Sequence, residues 1–196
     1  MDALELIKTR RSTRRFADRP VEAEKLDVIL DAGRHAPSGG NSQTTHFFVI
    51  RDLALRDRLA VLIKSELAKM EETPGMYRSL ANAIRASKGG NFVFHHNAPV
   101  LIVTANRRDY GNNMADCACA LENMMLMANA LDLGSCWLNH LRWLNENETM
   151  LACFRELGLA ENERIYGSMG LGYADTTDGL PIRTPLPRTG NPVTML

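Results

Sequence analysis

The chain has 196 residues, 45% of them hydrophobic and 23% charged, and its 23 basic and 23 acidic residues cancel. That length suits one domain, 1–196, with a substantial core, and the apolar content excludes general disorder. Zero net charge argues against nucleic acid or an anionic membrane as a partner, and no apolar stretch approaches the ~20 residues of a spanning helix.

In chain order, an apolar helix precedes the basic run at Arg10. Leu26, Ile29, Leu30 and Gly33 recur at three- and four-residue spacings and predict an amphipathic helix over 22–34. It stops at Ala36-Pro37-Ser38-Gly39-Gly40-Asn41, a loop signal. His46 to Ile50 reads as a short buried strand, and a second helix is expected over Leu53 to Met70. Residues 71–95 hold Pro74, Gly75, Gly89 and Gly90 with weak periodicity, so they read as an excursion from the core. Pro99 to Thr104 is the strongest strand signal, followed by a long helix from Asn113 to Leu131. A strand at Ser135 to Leu138, a helix at Glu148 to Leu157 and a glycine-rich strand at Arg164 to Tyr173 complete the set. The tail from about 176 carries four of the eight prolines and is expected to run extended over the surface or over a partner.

Common nucleotide signatures are missing. Gly167, Gly170 and Gly172 lie within a strand pattern with no helix behind them, so they do not form a dinucleotide phosphate turn, and there is no P-loop. Cys117, Cys119, Cys136 and Cys153 lack zinc spacing, and no metal is expected. The start of the chain has no apolar h-region, which predicts reduced thiols and a cytoplasmic location. His95 and His96 are neighbours that would face opposite sides of a strand, which argues against a shared metal. His35 and His140 lie at element ends and could enter a pocket. Ser38 has no hydrolase elbow around it. The methionines Met114, Met124, Met125 and Met127 read as core packing.

Two segments carry chemistry. Arg10-Arg11-Ser12-Thr13-Arg14-Arg15 packs four guanidinium groups into six residues beside hydroxyls, a donor set that suits phosphate. A solvated basic run is the competing reading. Pro37-Ser38-Gly39-Gly40-Asn41-Ser42-Gln43 places amides and hydroxyls on a tight loop before a strand. Such groups suit the mixed edge of a heterocycle, and a simple helix stop is equally consistent.

Together these pieces resemble the FMN-dependent nitroreductase family. The resemblance runs through Arg10 to Phe16, Ala32 to Gln43, the strand HFFVI, NAPVLIVTAN, the helical stretch DCACALENMMLMANALDLG, the strand SCWLN, and GSMGLGYAD followed by a proline-rich tail with Arg183. It implies an α+β fold with a mixed central sheet flanked by helices, in an interlocked homodimer holding FMN at the subunit interface. Arg10, Arg11, Ser12 and Arg14 would then hold the phosphate, ribityl chain and pyrimidine edge, and Arg183 would pair with the phosphate. Pro37, Ser38, Asn41 and Gln43 match the loop that approaches the flavin, generally from the other subunit. Trp137, Leu138 and Asn139 match the strand end beside the reactive N5. The sequence departs from the family where Thr184 follows Arg183, with Arg188 the next cation in place of a nearby lysine.

The implied activity is a ping-pong, two-electron reduction of nitroaromatics, quinones or related electrophiles, with NADH or NADPH as donor and a small molecule as acceptor. No residue stands out as a catalytic acid, leaving Arg14 with an electrostatic role. Other flavin chemistry (dehalogenation, ene reduction, oxidative dehydrogenation) and a non-catalytic FMN-binding module remain open alternatives.

Overall fold

A computed structural model of the chain describes residues 2–196. The first helix, α1 (Ala3–Thr9), is capped by Asp2, whose carboxylate accepts the Glu5 amide at 2.8 Å. It is followed by α2 (Ala23–Arg34) and, after the loop with its single turn at Gly39–Asn41, by β1 (His46–Ile50). Then come α3 (Leu53–Ala68), α4 (Arg78–Lys88), β2 (Val100–Arg107) and α5 (Asn113–Ala130). The chain continues with β3 (Gly134–Leu138), a short α6 (His140–Trp143), α7 (Glu148–Glu156) and β4 (Glu163–Gly172). Helices and sheet together make the expected α+β fold.

The sheet order is β1-β2-β4-β3, and all three pairings are antiparallel. The expected parallel component is confined to one bridge, Ser12 beside Ser135. Side chains alternate between two cores. On one face Phe48, Leu101, Val103, Leu138 and Ile165 pack against α3, α4 and α7. On the other, Ile102, Met169 and Leu171 pack against α2 and α5. Because both faces are covered, β2 is buried from Val100 to Asn106, which explains the unbroken apolar run in its sequence.

The segment 71–95 departs from its reading as an excursion, because it contains α4. The face that helix buries carries one large apolar residue, Ile84, beside the small Ala83 and Ser87, which gives little apolar periodicity, and Gly75 and Gly89 bracket the helix. The four-residue α6 was also not legible. The tail from Asp175 forms no helix or strand.

Glycine lets two segments close on the sheet. A Cβ at Gly134 would meet the Thr13 side chain at 2.6 Å, and one at Gly172 would meet Pro99 at 2.5 Å and Phe16 at 3.2 Å. Both glycines sit where the arginine run lies against the sheet edge.

Candidate functional site

The arginine run is an anchored strap. Thr13 donates its amide to the Ser135 carbonyl at 2.8 Å, Phe16 bridges Ala174, and Asp175 donates to the Arg15 carbonyl at 3.0 Å. The run is therefore fixed across the ends of β3 and β4, which argues against a merely solvated basic stretch.

The guanidinium groups of Arg10, Arg11 and Arg183 are then placed by specific partners. Arg10 Nε lies 3.6 Å from a Glu122 carboxylate oxygen on α5. Arg11 donates to the Thr184 carbonyl at 2.6 Å, tying the run to the tail beside Arg183. Arg183 donates Nε to Asn129 Oδ1 at 3.2 Å, and Nη2 to the Asn129 carbonyl and to Asp132 Oδ1, the last at 2.6 Å. Asn129 also donates to the Leu6 carbonyl and the Thr9 hydroxyl, each at 3.1 Å, so one amide joins α1, α5 and the tail. Arg14 and Ser12 are exposed, and Arg14 forms no ion pair or side-chain hydrogen bond among the described residues. Behind the strap, burial pushes the Cys136 thiol pKa up, opposed by Arg14, a Ser12 hydrogen bond and Arg10.

The Pro37–Gln43 loop lies elsewhere. Gly39 donates its amide to Asp116 Oδ1 at 3.2 Å, and Gln43 donates to Ser38 Oγ at 3.1 Å. Gly40, Asn41 and Gln43 have φ of 60°, 54° and 50°. The Asn41 and Gln43 side chains point to solvent, Pro37 is exposed, and Ser38 is half-buried. Beneath the loop is a cavity of about 450 Å³ whose lining includes Arg34, Ser38, Gln43, His46 and Asp116.

Helix α5 measures the separation between loop and strap. Glu122 and Asn129, the anchors of Arg10 and Arg183, are seven residues apart and share one face. Asp116, the anchor of the loop, sits about 120° to 140° round the helix, and about 20 Å along its axis from Asn129. In the sheet, the loop leads into edge strand β1 and the arginine run lies on the opposite edge strand β3, about 14 Å away across three strand spacings. Within one chain, the two candidate segments are not brought together.

The third segment joins the arginine side. The Trp137 ring is partly buried in the core and donates Nε1 to Asn139 Oδ1 at 2.8 Å. Leu138 is buried as a whole residue, and its carbonyl accepts from Ser168 at 2.9 Å. Asn139 caps α6, and His140 follows it.

His140 was legible only as an element end. Its ring packs with Phe92, Phe94 and Trp143 at centroid distances of 5.4, 5.7 and 5.1 Å. With His96 it lines a cavity of about 500 Å³ between the end of α4 and α6. Burial, with His96 nearby, pushes the His140 pKa down to about 4, and its buried Nδ1 has no hydrogen-bond partner among the described residues. Burial and the Arg14 charge also lower the pKa of His96. Asp116, Tyr110, Asn129 and Asp132 were not anticipated. Their signal was a set of polar side chains near the ends of an otherwise apolar helix.

The nitroreductase family profile matches residues 7–173, spanning the strap, the loop and the strand ends. A protein of Archaeoglobus fulgidus provisionally named an NADH dehydrogenase/NAD(P)H nitroreductase is 32% identical over 177 residues, covering 88% of this chain and 85% of its own. The nitrobenzene nitroreductase of Ectopseudomonas oleovorans is 27% identical over 203 residues, covering 88% and 87%. Among solved structures, an FMN-bound nitroreductase from Bacteroides fragilis superposes with a TM-score of 0.86 at 30% identity, covering 100% of both chains. Sequence match and fold agree, and this chain belongs to the nitroreductase family.

Proposed function

We propose that the chain works as one domain, paired with a second copy, as an FMN-dependent NAD(P)H oxidoreductase that reduces nitroaromatic, quinone or related electrophilic acceptors in a ping-pong cycle. The observation that carries this reading is the strap, which gathers Arg10, Arg11, Ser12, Arg14 and Arg183 at one corner of the sheet. The donor set fits FMN. Guanidinium forks suit its phosphate, the Ser12 hydroxyl suits a polyol, and the two adjacent carboxylates, Glu122 and Asp132, are already occupied by Arg10 and Arg183. When bound, FMN supplies the hydride and two-electron chemistry, taking reducing equivalents from NADH or NADPH and passing them to the acceptor.

The chain's own residues bind, orient and tune. Arg10, Arg11 and Arg183 hold phosphate, and Arg14, without an ion pair or side-chain hydrogen bond among the described residues, brings a positive charge to the pyrimidine edge. There it stabilises negative charge as it develops. Asn139, which accepts from Trp137, is followed in the chain by His140, which with Phe92 and His96 lines the aromatic chamber. Both histidines are held neutral, and such a chamber suits a flat aromatic acceptor.

The separation of strap and loop favours a site made by two chains. One chain's Pro37, Ser38, Asn41 and Gln43 reach the cofactor held by the other's arginines. Exposed apolar side chains support such pairing: α1 buries none of its residues and presents Leu4 and Ile7, and the tail presents Ile182, Leu186, Val193, Met195 and Leu196. Sedimentation of the purified yellow protein tests this reading. We expect a dimer with one FMN per chain. A colourless protein that fails to take up added FMN, or a flavin-loaded monomer, would overturn it.

A further inference from the structure

The loop is held in place by a buried carboxylate. Asp116 is only 5% exposed. Its Oδ1 accepts the Gly39 amide at 3.2 Å, and its Oδ2 lies 2.9 Å from the Tyr110 hydroxyl, which can donate to it. Ser42 donates its hydroxyl to Tyr110 at 3.1 Å, and the Gly39 carbonyl lies 3.1 Å from the same phenol oxygen. A Cβ at Gly39 would collide with the Asn112 amide and sit 2.5 Å from the Tyr110 hydroxyl, so the loop backbone is pressed onto this pair.

A buried carboxylate is costly unless it is hydrogen-bonded. One of the two donors serving Asp116 belongs to the loop itself, so the charge is satisfied only when the loop is docked. Docking holds Gly40, Asn41 and Gln43 in the left-handed region, which Asn tolerates and Gln rarely adopts. Strained backbone persists where its surroundings over-determine it, and here it leaves the Asn41 and Gln43 side chains facing solvent.

We propose that Asp116 and Tyr110 are positioning residues that act in trans, locking the Ser38–Gln43 loop in the form that meets the FMN held by the arginines of the other chain. This rests on the two-chain site proposed above and deepens it by naming what sets the loop. Neither residue touches the cofactor. Their effect passes through Gly39 and Ser42 to side chains that reach the second subunit's site.

Mixed dimers test this. Asp116→Ala and Arg10→Ala chains carrying different affinity tags are co-expressed, the heterodimer is isolated through both tags, and FMN binding is titrated. Each homodimer is expected to bind FMN about tenfold or more weakly, the loss of roughly one charge-assisted contact. In the heterodimer, one site combines intact arginines with an intact loop and keeps the wild-type dissociation constant. The other carries both defects and is weaker than either homodimer. A purely structural role for Asp116 would instead weaken both sites alike, and that result overturns the proposal. An Asp116→Ala homodimer with wild-type affinity overturns it as well. An Arg10→Ala homodimer with wild-type affinity would instead refute the phosphate site proposed above. Tyr110→Phe removes one oxygen, keeps the ring and is expected to give the same one-in-two pattern with a smaller loss. Asp116→Asn, which keeps an acceptor for the Gly39 amide, should recover most of the affinity.

Discussion

Asp132 and Arg183 give the sharpest test of the tail. Among the described residues, the hydrogen bonds from 181–196 to the rest of the chain are those of Arg183 and the Arg11 contact to Thr184. Asp132 has φ of 62°, a conformation Asn accepts readily, so Asp132→Asn removes the charge with little backbone cost. The pair is partly exposed, at 27% for Arg183 and 53% for Asp132, so solvent screening holds its worth to about 1 kcal/mol. Losing that much raises the population with a free Arg183 about fivefold. Trypsin reads this directly, because cleavage after Arg183 requires its guanidinium to leave Asn129 and Asp132. Under rapid opening, the cleavage rate follows the open population. We expect cleavage to rise about fivefold in the FMN-free variant and to be suppressed by added FMN. Removing a carboxylate near the phosphate should also tighten FMN binding. Cleavage unchanged by the substitution would refute the anchoring argument, and cleavage indifferent to FMN would remove Arg183 from the cofactor site.

Other outcomes follow from the same geometry. Arg10→Ala should weaken FMN binding by about one to two decades. Arg14→Ala should act chiefly by lowering the flavin midpoint potential, and unchanged affinity and potential in both variants would mean that the strap is not the site. Gly134→Ala forces a Cβ against the β-branched Thr13, whose limited rotamers leave it little room to yield, so the strap must shift. A cost of about 1 to 3 kcal/mol and a reduced FMN content are expected from titration against the parent protein. Burial, reinforced by the Arg56 charge, pushes the pKa of His95 down to about 4, and burial with His96 nearby does the same for His140. Between pH 6.5 and 4 the unfolded chain takes up protons that the folded chain refuses. Stability is therefore complete above about pH 6.5 and falls by up to about 3 kcal/mol per histidine as the pH drops toward 4. Urea unfolding should show that slope, and His140→Phe should remove its share.

Much of the fold was legible because the burial pattern is regular. The helix from Ala23, β1, β2 and α5 lie within a residue or a few of where periodicity puts them, since each buries a well-defined apolar face. Helix α4 was not, because Ile84 is the one large apolar residue it fully buries, and the small Ala83 and Ser87 beside it make no hydrophobic pattern. In the site, the arginine run and the glycine-rich loop stood out by composition. Their separation on opposite sheet edges did not, because it depends on strand order. Asp116 escaped notice for a related reason: in sequence it reads as an acidic residue in a helix's first turn, a common and favourable placement, and only the docked loop shows it buried and bonded. His140 looked like an element end until Phe92 and Trp143 were found packed around it.

The central claim is that these residues make an NAD(P)H-driven flavin reductase, and an anaerobic titration of the FMN-loaded protein tests it most directly. NADH or NADPH should bleach the yellow absorbance at one equivalent per flavin, and a nitroaromatic or quinone added afterwards should restore it one for one without the donor present. A flavin that stays oxidised in the presence of both donors would contradict the account.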